Sequence, residues 1–287
     1  MSTTKATRVV CKKLALVFDF DGTLGPGTFE RVMEQWGLDP EEVDRDRLVP
    51  RVREHNWEDT LARAQMFVEL AQERGDLTES TLAEMGRSYP LYPGVPEMFD
   101  RVRETAKAVV DDVEVEFYLM TAGFSTIPRS TSIAKEFKQI YSGALYFDED
   151  GRPAFVKRVL THPEKPRYLL HLAKGLELEG ANPDQAYREI DEHDWYVPLD
   201  QMIYVGDGAS DMPAFRLVSD HGGISIGVFE TERAEDWSGY DAVRSSRRVE
   251  NLAPNDYSED GEMMQTLLLA TESICKRIAL RKLGEGE

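Results

Sequence analysis

The sequence predicts an α/β protein in which a parallel sheet carries helices and a separate helical region is inserted near the N-terminus. Short apolar runs typical of buried parallel strands, the first from Leu14 to Phe18, end in Asp or Thr close to a Gly. Helical patterns separate these runs, as in βαβ units. From Thr28 to about Arg87 no strand pattern interrupts the helical spacing, and 287 residues are enough for about two domains.

The first strand delivers two carboxylates. Asp19 and Asp21 follow Leu14–Phe18 directly, and Gly22 then turns the chain. Ligands of open α/β sheets bind at the carboxyl ends of the strands. Because alternate residues of a strand point to opposite faces, both carboxylates reach one ligand only if the strand ends between them, at Asp19–Phe20. Taken alone, the pattern is also typical of a strand followed by an ordinary Asp-Gly turn.

A helical insertion is expected directly after this strand. Gly25-Pro26-Gly27 breaks the chain, and the proline-rich stretch 89–96 returns it to the main domain. The predicted boundaries are 1–24 and 91–287 for the core and 25–90 for a helical cap. Apolar residues recur at helical spacing at Trp57, Leu61, Ala64, Val68 and Ala71. Gly75 is expected to end that helix and Thr78 to cap the next one.

A basic cluster lies within the insertion. Its members are Arg45, Arg47, Arg51 and Arg53. It is either a substrate-selecting rim over a site or a solvated face that pairs with nearby acids. The second interpretation is favoured, because charge runs are usually solvated. The nearby acids are Glu41, Glu42, Asp44 and Asp46.

The second core strand is predicted over Val113–Met120, after a helix from Pro96 to about Val110. It ends in Thr121, Ala122 and a glycine, and a helix over Thr126–Lys138 is expected to follow. A hydroxyl and backbone N–H groups at a helix N-terminus form an anion site. The same residues are also typical of a simple helix cap.

A lysine at the start of a later helix is the candidate cation of the site. A hairpin is predicted over Tyr141–Asp148 and Ala154–Val159, and then a helix over Arg167–Lys174. Lys165 stands where the helix begins, and there its charge opposes the dipole unless an anion is nearby. Lys157 is the competing candidate, but strand alternation places it on a solvent face. We therefore favour Lys165.

The third informative strand ends in another aspartate. After an acidic, peripheral segment over 177–200 with one short helix at Gln185–Glu192, the apolar run Met202–Gly206 leads to Asp207. A helix is expected next, with Asp211 in its first turn. This is the same strand-end pattern as in the first strand.

The chain is expected to close on the sheet. His221–Val228 predicts a further buried strand, and an amphipathic helix is predicted over Glu262–Leu283. Docking of this helix on the sheet is favoured over a dimer contact.

Composition excludes several kinds of partner. The net charge of −19 argues against nucleic acids and anionic membranes, which need clustered Lys and Arg. Cys11 and Cys275 lie far apart, and the five His residues show no metal-ligand spacing. The first apolar run is too short for a signal peptide or a membrane span, so the protein is predicted to be cytoplasmic.

The strand ends together predict a metal-dependent phosphate site. The gathered residues would be Asp19, Asp21, Asp207, Asp211, Thr121 and Lys165. Four carboxylates in one cleft repel each other, and a hard divalent cation relieves this repulsion. Mg²⁺ suits a few carboxylates with waters and phosphate oxygens, so all four aspartates are candidate ligands. Thr121, Ala122 and Lys165 would hold the remaining phosphate oxygens.

Each carboxylate has an expected role. Asp19, held on the strand, can attack phosphorus and form an aspartyl-phosphate. Asp21 is placed to protonate the leaving alkoxide and later to activate water, provided that its surroundings raise its pKa. Asp207 is expected to bind the metal, and Asp211 to bind it or to support another ligand.

These stretches resemble the four motifs of the haloacid dehalogenase (HAD) superfamily. The matching residues are Asp19-Phe20-Asp21-Gly22-Thr23-Leu24, Thr121, Lys165 and Gly206-Asp207-Gly208-Ala209-Ser210-Asp211. They occur in the family's order, and the resemblance runs from residue 13 to about residue 243. It implies a Rossmann-like core, a Mg²⁺-dependent aspartyl-phosphate mechanism and a C1-type cap that closes over the substrate.

The resemblance also narrows the activity. Asp21 is typical of the phosphatases and phosphomutases of the superfamily. Thr121-Ala122-Gly123 and the hairpin that follows are similar to the phosphoserine-phosphatase-like branch, although that branch usually has Ser-Gly-Gly. We expect a hydrolase of a small phosphorylated metabolite. A phosphomutase or phosphotransferase and a non-catalytic phosphate-binding protein are the alternatives.

Overall fold

The fold centres on a seven-stranded sheet in the order β4-β3-β2-β1-β5-β6-β7. The computed structural model describes residues 10–176, 183–191, 194–230 and 249–285. All neighbouring strands are parallel except β3 and β4, which form an antiparallel hairpin. The strands are β1 Lys13–Phe18, β2 Glu114–Phe124, β3 Phe137–Phe147, β4 Pro153–Arg158, β5 Met202–Gly206, β6 Ile224–Phe229 and β7 Asn251–Pro254. The predicted α/β class with a parallel sheet is confirmed.

The α-helices fall into an N-terminal group and a group on the sheet. The first group is α1 Thr28–Gln35, α2 Pro40–Val43, α3 Val49–Arg53, α4 Asp59–Arg74 and α5 Glu79–Arg87, with a π-helical turn at Asp44–Leu48. The second group is α6 Val95–Val109, α7 Thr126–Ser130, α8 Lys165–Ala173, α9 Met212–Asp220 and α10 Glu262–Glu285. Among the described helices, none combines the length and the apolar character that crossing a membrane requires.

Strand β1 lies in the middle of the sheet and is buried on both faces. Leu16 and Phe18 face the core beneath α6 and α10, whereas Ala15 and Val17 face the core beneath α8 and α9. This explains why its sequence is continuously apolar rather than alternating. The sheet is thus the middle of three layers.

Helix α10 docks on the sheet, as predicted. Leu267, Ile274 and Ile278 are fully buried, and the helix contacts α6 and strands β1, β5, β6 and β7. Their spacing brings them onto one face of the helix.

Residues 28–87 form a helical insertion between β1 and β2. Ala64, Val68 and Ala71 lie on the buried face of α4, as predicted, but Trp57 precedes the helix and Leu61 points outward, being 40% and 42% exposed.

The predicted end of α4 and start of α5 are confirmed. Gly75 ends α4 in the left-handed region with φ 73°. Thr78 caps α5, and its hydroxyl and that of Thr81 satisfy each other's backbone N–H groups. The boundaries of a separate cap domain stay a prediction.

Three arginines of the basic cluster are ion-paired, and the cluster is exposed at Arg45 and Arg53, whereas the side chain of Arg51 is 21% exposed. Arg45 pairs with Asp46, as expected. Arg47 and Arg51 instead reach Glu73 and Glu69 on α4, because the turns before α4 fold back along it.

Two predicted helices are wrong. Residues 126–138 form only α7 and a 3₁₀ turn at Ala134–Glu136, and β3 already begins at Phe137. Phe137 pairs with Phe117 of β2, and its ring meets the Phe99 ring edge-on at 5.5 Å, so sheet pairing overrides local helical spacing. The expected helix at 185–192 is a 3₁₀ turn over Pro183–Tyr187; residues 177–182 and 192–193 lie outside the described part.

Strand β2 also runs further than predicted. It continues past Met120 to Phe124, and its pairing with β3 becomes irregular after Thr121. Thr121 therefore lies inside the strand, beside a local break in the ladder.

Candidate active site

Asp19 is fixed at the end of the central strand. Its backbone N–H donates to the carbonyl of Val205 at 2.9 Å, so the residue is still held by the sheet. Its Oδ1 accepts the N–H of Phe20 at 2.8 Å, and the residue is only 5% exposed. The carboxylate therefore has a fixed direction in a largely dry site.

Asp21 lies beyond the strand and faces a different set of partners. Its Oδ1 accepts the N–H of Thr28 at 2.6 Å, and its Oδ2 accepts the hydroxyl of Thr121 at 3.0 Å. Thr28 begins the helical insertion and Thr121 belongs to β2. The Asp21 carboxylate therefore ties the insertion to the core.

Thr121 and the two residues after it form the wall beside Asp21. The buried Thr121 hydroxyl accepts the N–H of Gly123 at 2.9 Å. A Cβ at Gly123 would come within 2.8 Å of Asp21 Oδ2, so only glycine permits this approach without a shift. Ala122 lines the cavity that starts at Asp21.

Lys165 joins the carboxyl end of β1 to the turn that follows β5. Its Nζ donates to Asp19 Oδ2 at 3.0 Å and to Asp211 Oδ1 at 2.5 Å, and its side chain is fully buried. Burial alone would lower the lysine pKa, but the two carboxylates outweigh it and raise it. Lys157, the competing candidate, is exposed on β4.

Asp19, Asp207 and Asp211 form the acidic centre of the site. One carboxylate oxygen from each lies within 4.8 Å of the other two. The Tyr204 hydroxyl also donates to Asp211 Oδ1, at 2.6 Å. The Asp21 side chain lies outside this group.

Two glycines make room for the acidic centre. Gly22 has φ 71°, and a Cβ there would come within 2.4 Å of Asp207 Oδ2. A Cβ at Gly206 would come equally close, 2.4 Å, to the Asp211 carboxyl. The backbone turns that hold these carboxylates therefore require glycine.

The centre carries more negative charge than its lysine can neutralise. Burial, and next the Asp211 carboxylate, raise the pKa of Asp207 to about 7. Burial likewise raises the pKa of Asp19 and of Asp21. Closely grouped oxygen ligands with uncompensated charge fit a hard divalent cation.

Two cavities open from this edge of the sheet. One, of about 240 Å³, lies between the helical insertion and the core and contacts Asp21, Ala122 and Gly123. The other, of about 740 Å³, is lined by Asp21, Asp207 and further acids such as Glu230.

Sequence reasoning missed the supporting residues of the site. Thr28 and Tyr204 hold Asp21 and Asp211, but both have ordinary sequence contexts, a helix start and a buried strand. The position of Tyr204 in the apolar strand before Asp207 was the one available signal, because a buried tyrosine hydroxyl usually needs a partner.

Solved structures with the same architecture belong to hydrolases. A HAD family hydrolase from Salmonella enterica serovar Typhi matches with a TM-score of 0.59 and 12% identity, covering 92% of this chain and 73% of that one. The chain has the fold of the HAD-family hydrolases. A phosphoserine phosphatase solved as a phospho-aspartyl intermediate analogue matches at 0.54 and 17% identity, with coverage of 89% and 98%. A probable phosphoserine phosphatase from Vibrio cholerae matches at 0.54 and 16% identity, with coverage of 93% and 67%.

Sequence comparison finds an uncharacterized relative and no matching family model. An uncharacterized protein of Borreliella burgdorferi is 23% identical in an alignment of 234 residues that covers 72% of this chain and 79% of that protein. No family model matches the chain.

Proposed function

We propose that this protein is a Mg²⁺-dependent phosphomonoester hydrolase of the HAD superfamily that works through an aspartyl-phosphate on Asp19. One observation carries the proposal: Lys165 bridges Asp19 and Asp211, while oxygens of Asp19, Asp207 and Asp211 lie within 4.8 Å of one another. The HAD-hydrolase fold supports it.

The acidic centre is the proposed metal site. Asp19, Asp207 and Asp211 would hold Mg²⁺, and Asp21 lies nearby with its carboxylate turned towards Thr28 and Thr121. When bound, the ion would neutralise charge on the phosphate and on the attacking carboxylate.

Asp19 is the proposed nucleophile. Its backbone bond to β5 and the Phe20 N–H hold the carboxylate in place, and the ammonium of Lys165 favours its ionised form. A carboxylate oxygen of Asp19 would form the bond to phosphorus while the bond from phosphorus to the alcohol oxygen breaks. Lys165 would stabilise charge on the transferring phosphoryl group, with Thr121 and Ala122 beside it.

Asp21 is the proposed acid and base. Burial is the main influence on its carboxyl and raises its pKa, which favours the protonated form that an acid needs. Thr28 and Thr121 would keep it aimed at the leaving oxygen. After giving its proton to the alkoxide, Asp21 would take one from the water that hydrolyses the aspartyl-phosphate.

The helical insertion is the proposed cap of C1 type, with residues 25–90 as the cap and 1–24 and 91–287 as the core. The cavity between the insertion and the core starts at Asp21, where the leaving group would lie. The substrate would be a small phosphorylated metabolite, and the charge of −19 disfavours nucleic acid or anionic membrane partners.

Replacing the nucleophile tests the proposal. We expect Asp19→Asn to abolish Mg²⁺-dependent release of inorganic phosphate from p-nitrophenyl phosphate and from a panel of phosphorylated metabolites. Acid quenching during turnover should trap radiolabelled phosphate on the wild-type chain and none on the variant. Asp100→Asn, an exposed aspartate paired with Arg103, is the matched control. Retained turnover in a folded Asp19→Asn variant would exclude this mechanism.

A further inference from the structure

The cavity that starts at Asp21 is mainly apolar. Its walls come from α1, α4 and α5 of the helical insertion and from the end of β2 with α7. The apolar side chains that carry the argument are Phe29, Val32, Phe67, Leu82, Phe124 and Ile127. The Phe67 ring is central, because it lies 6.4 Å from the Phe29 ring and 5.3 Å from the Phe124 ring. Polar side chains also line the cavity, among them Thr60, Thr126 and His162, but apolar surface predominates.

The charged groups of the cavity disfavour a second anionic group on the substrate. Among the described residues of its lining, Arg63 is the one Lys or Arg. Both of its terminal nitrogens donate to Asp44, at 3.0 and 2.7 Å, and its guanidinium lies 4.9 Å from the Phe29 ring centre. Its charge is therefore already compensated, while Glu30 and Asp59 also line the cavity. A substrate carboxylate would meet these two acids and no uncompensated Lys or Arg among these residues, with His162 as the one imidazole of the lining.

The volume sets the size of the group that fits. The cavity measures about 240 Å³. An engineered apolar cavity of about 150 Å³ binds benzene. One aromatic ring with a short linker or substituents therefore fits here.

We infer that the substrates are phosphomonoesters of apolar alcohols, with a leaving group about the size of a substituted aromatic ring that occupies this cavity. The inference rests on the proposed function, because it places the alcohol beside Asp21 as the proton donor. It distinguishes this chain from an enzyme for phosphoserine, whose alcohol carries a carboxylate and an ammonium group.

A series of alkyl phosphomonoesters tests the inference without favouring an aryl leaving group. Phosphate release would be measured from 2-phenylethyl phosphate, ethyl phosphate and phosphoserine with Mg²⁺. We expect kcat/KM for 2-phenylethyl phosphate to exceed that of either other ester at least about tenfold, since even one methylene in an apolar pocket is worth that much.

Two variants link the preference to the cavity. Ala64→Leu would fill it from α4, and Phe67→Ala would remove its central ring; each should lower the ratio of kcat/KM for 2-phenylethyl phosphate over ethyl phosphate at least about tenfold. Leu61→Ala is the control, because Leu61 lies on the same helix, is 42% exposed and is not part of the lining. Circular dichroism would verify that each variant is folded. If Phe67→Ala does not fold, the result for Ala64→Leu decides the test.

The outcomes separate the inference from the proposed function. Equal or faster hydrolysis of phosphoserine, or an unchanged ratio in folded Ala64→Leu, would overturn the inference and leave the phosphatase in place. A wild-type protein that releases phosphate from p-nitrophenyl phosphate but hydrolyses none of the three esters would overturn the inference alone. Loss of turnover on p-nitrophenyl phosphate, on the metabolite panel and on all three esters would overturn both.

Discussion

A charged cluster built on a buried carboxylate lies at each end of the sheet, and the two clusters differ in how well their charges balance. At the amino ends of the strands, Glu116 accepts hydrogen bonds from Lys13, Lys138, Tyr118 and Tyr196. Burial alone would raise the pKa of Glu116, but these donors outweigh it and lower the pKa to about 2.

The cluster at the carboxyl ends has the opposite balance. Lys165 is the lysine bonded to Asp19 and Asp211, and Asp207 adds a third carboxylate within 4.8 Å. Burial and the neighbouring carboxylates raise the pKa of Asp207 to about 7. The carboxylate of the first cluster is satisfied by protein groups, whereas the carboxylates of the second are grouped closely enough to hold a cation. Uncompensated buried charge is typical of functional sites, and here it lies at the end of the sheet where we propose the active site.

Among the changes predicted here, replacement of Lys165, which is bonded to Asp19 and Asp211, should have the largest effect on the catalytic rate. We expect Lys165→Ala to lower kcat about 10²–10³-fold, the loss typical of removing one donor that stabilises developing charge. Lys157→Ala is the control, because that lysine is exposed on β4. Initial rates with saturating p-nitrophenyl phosphate would measure both. A greater loss in Lys157→Ala would mean that the roles of the two lysines are reversed.

The carboxylate positions of this site could be predicted from sequence because their signals are local. Asp19, Asp21 and Asp207 each follow an apolar run, and parallel strands bring their carboxyl ends to one edge. Lys165 was separable from Lys157 because strand alternation is also local.

The cavity and the start of β3 could not be predicted, because they depend on contacts between distant segments. Phe29, Phe67 and Phe124 come from three elements, and each reads in sequence as ordinary core. Phe137 begins a strand only because Phe117 is there to pair with it. A site with four carboxylates was expected. The Asp21 carboxylate instead accepts the N–H of Thr28, and this contact depends on how the insertion begins.

Mg²⁺ should stabilise the protein through the same uncompensated cluster. At about a hundred times its dissociation constant, the ion is expected to raise the free energy of unfolding by about 2.7 kcal/mol. Urea unfolding with Mg²⁺ or with EDTA would measure this, with Asp207→Asn expected to lose most of the gain. Asp220→Asn, exposed and paired with Arg216, should keep it. An equal gain in Asp207→Asn would place the ion elsewhere.

The stability of the metal-free protein should also depend on pH, through the carboxyl of Asp207. The pKa of Asp207 is raised in the folded protein from 3.8 to about 7. The contribution of the Asp207 carboxyl to the free energy of unfolding is therefore largest at low pH, and it is lost as the pH rises through about 7. Unfolding at a series of pH values in EDTA should show stability falling across this window, and Mg²⁺ should reduce the fall.

The cluster around Glu116 should show the opposite pH dependence of stability, and this dependence should not require a metal. Glu116→Gln removes the charge that two lysines and two tyrosines share, so we expect a loss of about 2 kcal/mol at neutral pH with activity and Mg²⁺ response unchanged. Because the pKa of Glu116 is lowered from 4.5 to about 2, its contribution is complete above about 4.5 and is lost as the pH falls towards 2.

Wild type and Glu116→Gln should therefore converge in stability under acid, whereas they differ at neutral pH. Glu114→Gln is the matched control, since Glu114 also pairs with Lys13 but is exposed. A Glu116→Gln variant with wild-type stability and lost Mg²⁺ response would show that the two ends of the sheet are coupled. Strand β1 contributes Lys13 to the cluster around Glu116 and leads into Asp19 of the acidic centre, so the two clusters share one strand. An unchanged Mg²⁺ response with lower stability would show that they nevertheless act independently.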